Sequence, residues 1–358
     1  MSRIFVTGWG AVSPAGWNVA ALREALAHGE PLPVQSMERP GWDKPLRARL
    51  VPAPAARPEF LAHPRLRRSS PITHYAAAAA LEALAGRRAA PDSNDRLGLV
   101  VCMQAGCVRY SCRFLDETLK DPATASPLLF PETVYAAPAS HVAALLGNVS
   151  LACSLVGDPG AFLQGISLAI QWLEEDRVDT CLVIGAEETN WILADALRLL
   201  DRDAVITSGA GALCLSRDPG MPGVVELAAI TDPHTYSARK SRTQAAHAMR
   251  AQLGDGAAEE LLCDGLSNSA RVDAPERTAW RNWPGKRFSP KRSLGEGLMA
   301  SAAWQCVAAC DSVANGGFAA ANVSLVGSNQ QAIGARFVRA NSGSSHSSAS
   351  GAAGKLRS

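Results

Sequence analysis

Four apolar runs constrain this chain more than any other feature: LGLVVCM (97–103), VSLACSLVG (149–157), TCLVIGAEE (180–188) and GALCLS (211–216). Each is apolar on nearly consecutive residues, where a half-solvated strand would alternate. Strands of that kind have no face to give to water, so the sheet they build must be covered on both sides. Segments with helical character lie between them, including the alanine-rich THYAAAAALEALAG (73–86), a stretch from Glu132 to Leu146, and the residues after Gly160. The implied class is α/β, with helices layered on buried sheets.

The chain opens in the same rhythm. RIFVTG (3–8) reads as a strand, and Asn18 caps a helix whose Val19, Leu22, Ala25 and Leu26 share one face until Gly29 ends it. A proline-rich excursion follows over 31–71. After residue 222 the pattern repeats more loosely: GVVELAAI as strand, Lys240 to Leu253 as helix, EELLCDG as strand, Leu294 to Val313 as one long apolar helix, then NVSLVG and ARFVRA as strands. Two similar halves are expected, 1–221 and 222–340, followed by a small polar tail over 341–358 that cannot bury a core.

Composition excludes several classes. Of 358 residues 47% are hydrophobic and 19% charged, and 35 basic against 33 acidic side chains leave a net charge of +2, too mild for a nucleic-acid binder. Basic residues do cluster locally, at Arg65, Arg67 and Arg68 and at Arg239, Lys240 and Arg242. No apolar run reaches a membrane-spanning length, and MSRIFVTG has no leader pattern, so a cytoplasmic protein is expected. The nine cysteines contain no CxxC pair and several sit inside apolar runs, which reads as reduced thiols packed as small hydrophobes. Nothing in the pattern calls for a metal or an organic cofactor.

The stretch SLVGDPGAFLQGISLAIQWL (154–173) passes from strand through a sharp turn into an apolar helix. Enzymes place nucleophiles at such turns because the free N–H groups of the helix start stabilise a developing anion. Gly157, Asp158, Pro159 and Gly160 offer neither thiol nor hydroxyl.

Several segments in order resemble the β-ketoacyl synthases, condensing enzymes of the thiolase fold. They are FVTGWGAVSPAGWNVAALREALAHGE, FPETVYAAPASHVAALLG, VDTCLVIGAEE, SGAGALCLS and SPKRSLGEGLMASAA. The resemblance implies a thiolase-like fold of two βαβαβαββ halves in a layered α-β-α-β-α arrangement. It also implies a catalytic set of one cysteine, which accepts an acyl chain from an acyl carrier protein, and two histidines, which stabilise the enolate formed on decarboxylation.

This sequence departs from that set. Counting back from Asp179 places the family's cysteine position at Pro159, or at Gly157 with one gap. Proline suits the first turn of a helix because its missing N–H was unpaired there anyway. Cys153 lies upstream inside the strand, where burial would leave little thiolate. LSNSARVDAPE, after the strand LLCDG, holds no histidine where the family's "HGTGT" loop has one. Glu296 takes the place of the second, and a carboxylate would oppose the enolate that a neutral histidine assists. The family lysine survives as Lys291, read as a partner for Glu296 or another carboxylate. The gating loop "GFGGTN" becomes GSNQQA (327–332). The seven histidines, among them His28, His74 and His141, fall outside the motif positions.

The resemblance is greatest to chain length factors, ketosynthase homologues without the cysteine that form heterodimers with an active ketosynthase in type II polyketide or aryl-polyene systems. On that reading SLACSLVG is the interface strand. The stretch from Gln104 to Tyr135, with Tyr110, Phe114, Leu128, Leu129, Phe130 and Tyr135, supplies tunnel walls, together with Phe162. The expected partners are an active ketosynthase, or a second copy of the chain, and an acyl carrier protein. The alternatives are an acyltransferase or hydrolase using Asp158, Glu296 or Glu187 as acid or base, and a stand-alone acyl-binding homodimer.

Overall fold

A computed structural model describes residues 2–85, 95–220, 224–237 and 239–340. The 341–358 tail and the 221/222 boundary lie outside the described residues. The first part of the chain runs β1 (Phe5–Val12), α1 (Val19–His28), β2 (Gln35–Met37), β3 (Leu46–Arg49), α2 (Pro71–Ala85), β4 (Leu97–Met103), α3 (Val108–Lys120) and α4 (Ala137–Leu146). It continues with β5 (Val149–Val156), α5 (Ala161–Glu174), β6 (Thr180–Glu187), α6 (Trp191–Leu200), β7 (Ile206–Thr207) and β8 (Gly209–Ser216). The second part runs β9 (Val225–Ile230), β10 (His234–Thr235), α7 (Arg242–Leu253), β11 (Leu261–Cys263), α8 (Ala270–Ala279) and β12 (Lys286–Phe288). The short α9 (Pro290–Leu294), α10 (Met299–Ala314), β13 (Ala320–Val326) and β14 (Gln331–Arg339) complete it.

Strand order gives the architecture. Along the sheet it is β12-β11-β13-β14-β9-β1-β8-β6-β4-β5, so the order outward from β1 is mirrored outward from β9. The two halves meet where Phe5 and Val6 of β1 pair antiparallel with Glu226 and Val225 of β9. Helices cover both faces, and α10 packs between the halves, touching β8, β6 and β1 on one side and β13, β11 and β14 on the other. This is the layered thiolase-like arrangement expected from the sequence.

The side-chain period of two decides which layer each strand residue enters. On β4, Leu97, Leu99, Val101 and Met103 join a core with the alanines of α2 and with Ala137, Ala139 and Val142 of α4, while Val100 and Cys102 join the core shared with α5 and α10. β6 and β8 divide in the same way, with Cys181, Val183, Leu213 and Leu215 on the α10 side. The alanine run of α2 has a definite cause. A Cβ on Gly8 or Gly10 of β1 would lie 2.0 or 2.1 Å from the carbonyl oxygen of Ala83 or Ala79, so helix and strand touch backbone to backbone. None of the nine cysteines forms a disulfide among the described residues, and seven are buried.

Several sequence-based boundaries shift. Glu132 is not in the helix that ends at Leu146: Phe130–Glu132 is a separate 3-10 turn and α4 begins at Ala137. The long helix from Leu294 divides into α9 and α10, because Gly295 (φ 97°) and Leu298 (φ 49°) leave the helical region. The helices α3, α6 and α8 carry residues that the sequence reading left unassigned. The proline-rich excursion contributes β2 and β3, which form a small sheet with β7.

Candidate functional site

The turn between β5 and α5 is closed from across the molecule. Asp158, buried at 1% exposure, is held by residues at the start of β14. Its Oδ1 accepts from Gly160 N–H (3.1 Å) and from the Gln331 side-chain amide (3.1 Å), and its Oδ2 accepts from the Gln331 backbone N–H (3.3 Å). Its own N–H donates to Gln330 Oε1 (3.3 Å). Burial pushes the Asp158 pKa upward, and these donors oppose the shift.

Two glycines permit the approach. A Cβ on Gly327 would fall 2.0 Å from Asp158 Oδ2, and one on Gly160 would fall 2.8 Å from the Gln331 side chain. The Tyr236 hydroxyl donates to the Gly327 carbonyl and pins the loop from its other side. Thus GSNQQA covers the turn. Pro159 does not open the helix: α5 begins at Ala161 with Gly160 as its cap, and Pro159 belongs to the turn before it.

Lys291 and Glu296 form an ion pair, with Nζ 2.7 Å from Oε2. The other carboxylate oxygen accepts from Leu298 N–H at 2.8 Å. The Glu296 backbone is fixed as well, donating to the Val205 carbonyl (2.8 Å) and accepting from Thr207 N–H (3.0 Å). A cavity of about 260 Å³ opens beside the pair, bounded by Arg49, Asp201, Ser267, Asn268, Arg292 and Ser328 among others. Ser267 and Asn268 belong to the segment after β11 that resembles the family's histidine loop. That segment turns directly into α8, with Ser269 as its cap, and Asp273 gathers the Ser267 and Asn268 N–H groups at 3.0 Å each. Behind it Glu276 is sealed in, accepting from Gly265 N–H and the Ser324 hydroxyl. Burial and neighbouring Asp264 push its pKa up.

The remaining acid candidate is also committed. Glu187, at the end of β6, accepts from the Gln104 and Ala105 N–H groups, and burial raises its pKa to about 8. Its neighbour Glu188, unremarked in the sequence, accepts from the Ser70 hydroxyl and from the Ile72 and Arg109 N–H groups, tying together the starts of α2 and α3. The pair therefore supports the loops at the carboxyl end of the sheet. Three of the histidines are engaged locally: His141 with Glu132 (2.9 Å), His74 with the Leu66 carbonyl (3.1 Å) and His28 with the Glu24 carbonyl (2.8 Å). Among the described residues no group of three or more His, Cys, Asp or Glu side chains is placed to hold a metal ion.

The proposed wall residues divide. Tyr110 and Phe114 lie on α3, and the Phe114 ring meets that of Phe130 with centroids 5.7 Å apart. Tyr135 packs on Gly106, whose positive φ and missing Cβ make room for the ring. Leu128, Phe130 and Tyr135 are exposed, whereas Leu129 is buried. Phe162 is elsewhere, fully buried on α5 in the core between the halves. Cys153 is half-buried, not enclosed as the sequence suggested, because β5 is the outermost strand and, among the described residues, pairs with β4 alone. Ser150, Ala152 and Val156 of that strand are exposed.

A thiolase-like sheet of two mirrored halves, layered with helices, is the fold of a class of condensing enzymes and their homologues. Residues 1–217 match the family model of the β-ketoacyl synthase N-terminal domain, and the chain belongs to that family. No curated protein matches the sequence. Among solved structures, the ishigamide ketosynthase/chain length factor aligns over 95% of this chain and 100% of its own at 18% identity, with a TM-score of 0.78. A ketosynthase in complex with its chain length factor from Xenorhabdus doucetiae aligns over 95% and 98% at 14% identity, with a TM-score of 0.72. A type II polyketide acyl-carrier protein in complex with its ketosynthase, bound to the hexaketide, aligns over 94% and 99% at 15% identity, with a TM-score of 0.77. No helix among the described residues is long and apolar enough to cross a membrane.

Proposed function

We propose that this chain is a ketosynthase-like subunit of the chain-length-factor type, without condensing activity of its own, that pairs with an active ketosynthase and shapes the acyl tunnel. The observation that carries the reading is the β5–α5 turn. The residues there cannot be acylated, and Asp158, between the two positions assigned to the family's cysteine, is held in place by Gln330 and Gln331. The Lys291–Glu296 pair supports it, because a carboxylate neutralised by lysine is no donor to an enolate oxygen. The carboxylate-based alternatives lose weight for a related reason: Asp158, Glu187 and Glu296 each spend their oxygens on internal donors.

Pairing is supported by β5 and by the elements beside it. An outermost strand with unpaired backbone groups is a surface that proteins cover. α3 buries none of its residues within the chain, and Leu115, Leu119, Leu128, Phe130, Val134 and Val156 are exposed. Incubation of the purified chain with acyl-carrier thioesters, followed by intact-mass measurement, is expected to show no acyl adduct. In a co-expressed pair with an active ketosynthase, the acyl group should be found on the ketosynthase alone. A stoichiometric adduct on this chain overturns the reading.

A further inference from the structure

The cavity beside Lys291 and Glu296 contains an unbalanced charge. Arg49, the last residue of β3, is 7% exposed, yet among the described residues only its Nε has a partner, the Leu32 carbonyl at 2.7 Å. Among the described residues neither terminal nitrogen has a hydrogen bond or an ion pair, and Arg49 lines the cavity. A guanidinium so deeply placed ordinarily has a carboxylate against it, since an unpaired buried charge is costly.

The acids of the cavity do not fill that role. Glu296 is matched by Lys291, Asp201 accepts from Asp203 N–H at 3.1 Å, and Asp203 lies at the exposed rim. Burial, and then neighbouring Arg47, lower the Arg49 pKa, with no acid acting to raise it. Half-buried Arg292 adds a second cation without an ion-pair partner among the described residues, and Ser269 and Val272 at the start of α8 line the same space.

We propose that this cavity is a binding site for a small oxyanion, a phosphate or carboxylate group, held by the terminal nitrogens of Arg49 with Arg292 and the start of α8 completing its surroundings. The planar fork of a guanidinium matches two oxygens of either group. At about 260 Å³ the cavity is smaller than the roughly 300–1,000 Å³ of sites that enclose whole drug-sized ligands, which suits an anionic head group. The inference does not depend on the chain pairing with a ketosynthase, and its test uses the chain alone.

Titration of the full chain with inorganic phosphate and, separately, with acetate, at constant ionic strength made up with chloride, would be followed by calorimetry and by the melting midpoint. At least one anion is expected to bind saturably, and the arm that responds identifies phosphate or carboxylate as the group recognised. Arg49→Gln should weaken binding about tenfold or more, the scale of one lost charge-assisted contact, while Arg49→Lys keeps part of it. Should Arg49→Gln fail to fold, Arg292→Gln is read in its place, with at least threefold weaker binding expected. Absence of saturable binding by either anion, or equal affinity in wild type and the readable variant, overturns the site.

Discussion

At the residue scale, most of the acidic side chains conspicuous in the sequence serve structure. Glu187 fixes the loop after β4 to the end of β6 through backbone N–H groups, which explains why an acid that resembles a general base in sequence is withheld from solvent. Its raised pKa has a consequence for stability. Between the ordinary carboxylate value of 4.5 and about 8, the folded chain holds a proton that the unfolded chain releases. This contribution is therefore fully present below pH 4.5 and is lost as pH rises through 8. The melting midpoint is expected to fall between pH 5 and 8.5, and Glu187→Gln should flatten that decline while retaining an oxygen for the two donors. An identical pH profile in wild type and variant would show that Glu187 is ionised throughout.

At the scale of elements, the strands were the legible part of the sequence, because a continuous apolar run admits few other readings. α1 was equally plain: Asn18 accepts from Ala21 N–H and Gly29 ends the helix at φ 71°. The hidden elements are those whose burial is supplied from outside the local pattern. α8 carries Pro275 and polar residues whose partners, Ser267, Gly265 and Ser324, come from other segments. The clamp on Asp158 was invisible for the same reason, since Gln331 is 173 residues away. β5 reads in sequence like its neighbours, but only the topology places it outermost. That position makes Ala152 informative: it is exposed in the single chain, so Ala152→Asp should leave the fold intact and block a strand-to-strand dimer, whose burial would be on the order of 2,000 Å². Sedimentation of the variant should give a monomer where the wild type gives a dimer. A wild-type chain that sediments as a well-behaved monomer at micromolar concentration would overturn the assignment of β5 as the interface strand.

At the scale of the whole molecule, the aromatic wall can be tested without breaking the core. Truncating a buried phenylalanine costs about 3–5 kcal/mol. Phe130 is 57% exposed and meets the ring of Phe114, so Phe130→Ala should cost about 1 kcal/mol. In a reconstituted pair with an active ketosynthase, Phe130→Ala is expected to lengthen the products, read by mass, with the first condensation undiminished. Unchanged product lengths in a stable pair would remove Phe130 from the wall. Phe162→Ala, by contrast, should destabilise the chain outright, since its ring lies in the core between the halves.

The central place of β1 also governs how the chain is made. Phe5 pairs with Ser216 of β8 and with Glu226 of β9 and has no earlier strand beside it. During synthesis at roughly 5 to 20 residues per second, the first strand must wait on the order of 10 to 40 s before either neighbour emerges. For that interval FVTGWGAV is an apolar strand with two open edges outside the ribosome. The nascent chain is then at its most exposed to aggregation and to chaperones, and slowing translation ahead of β8 should lower the soluble yield more than the same delay placed after β9.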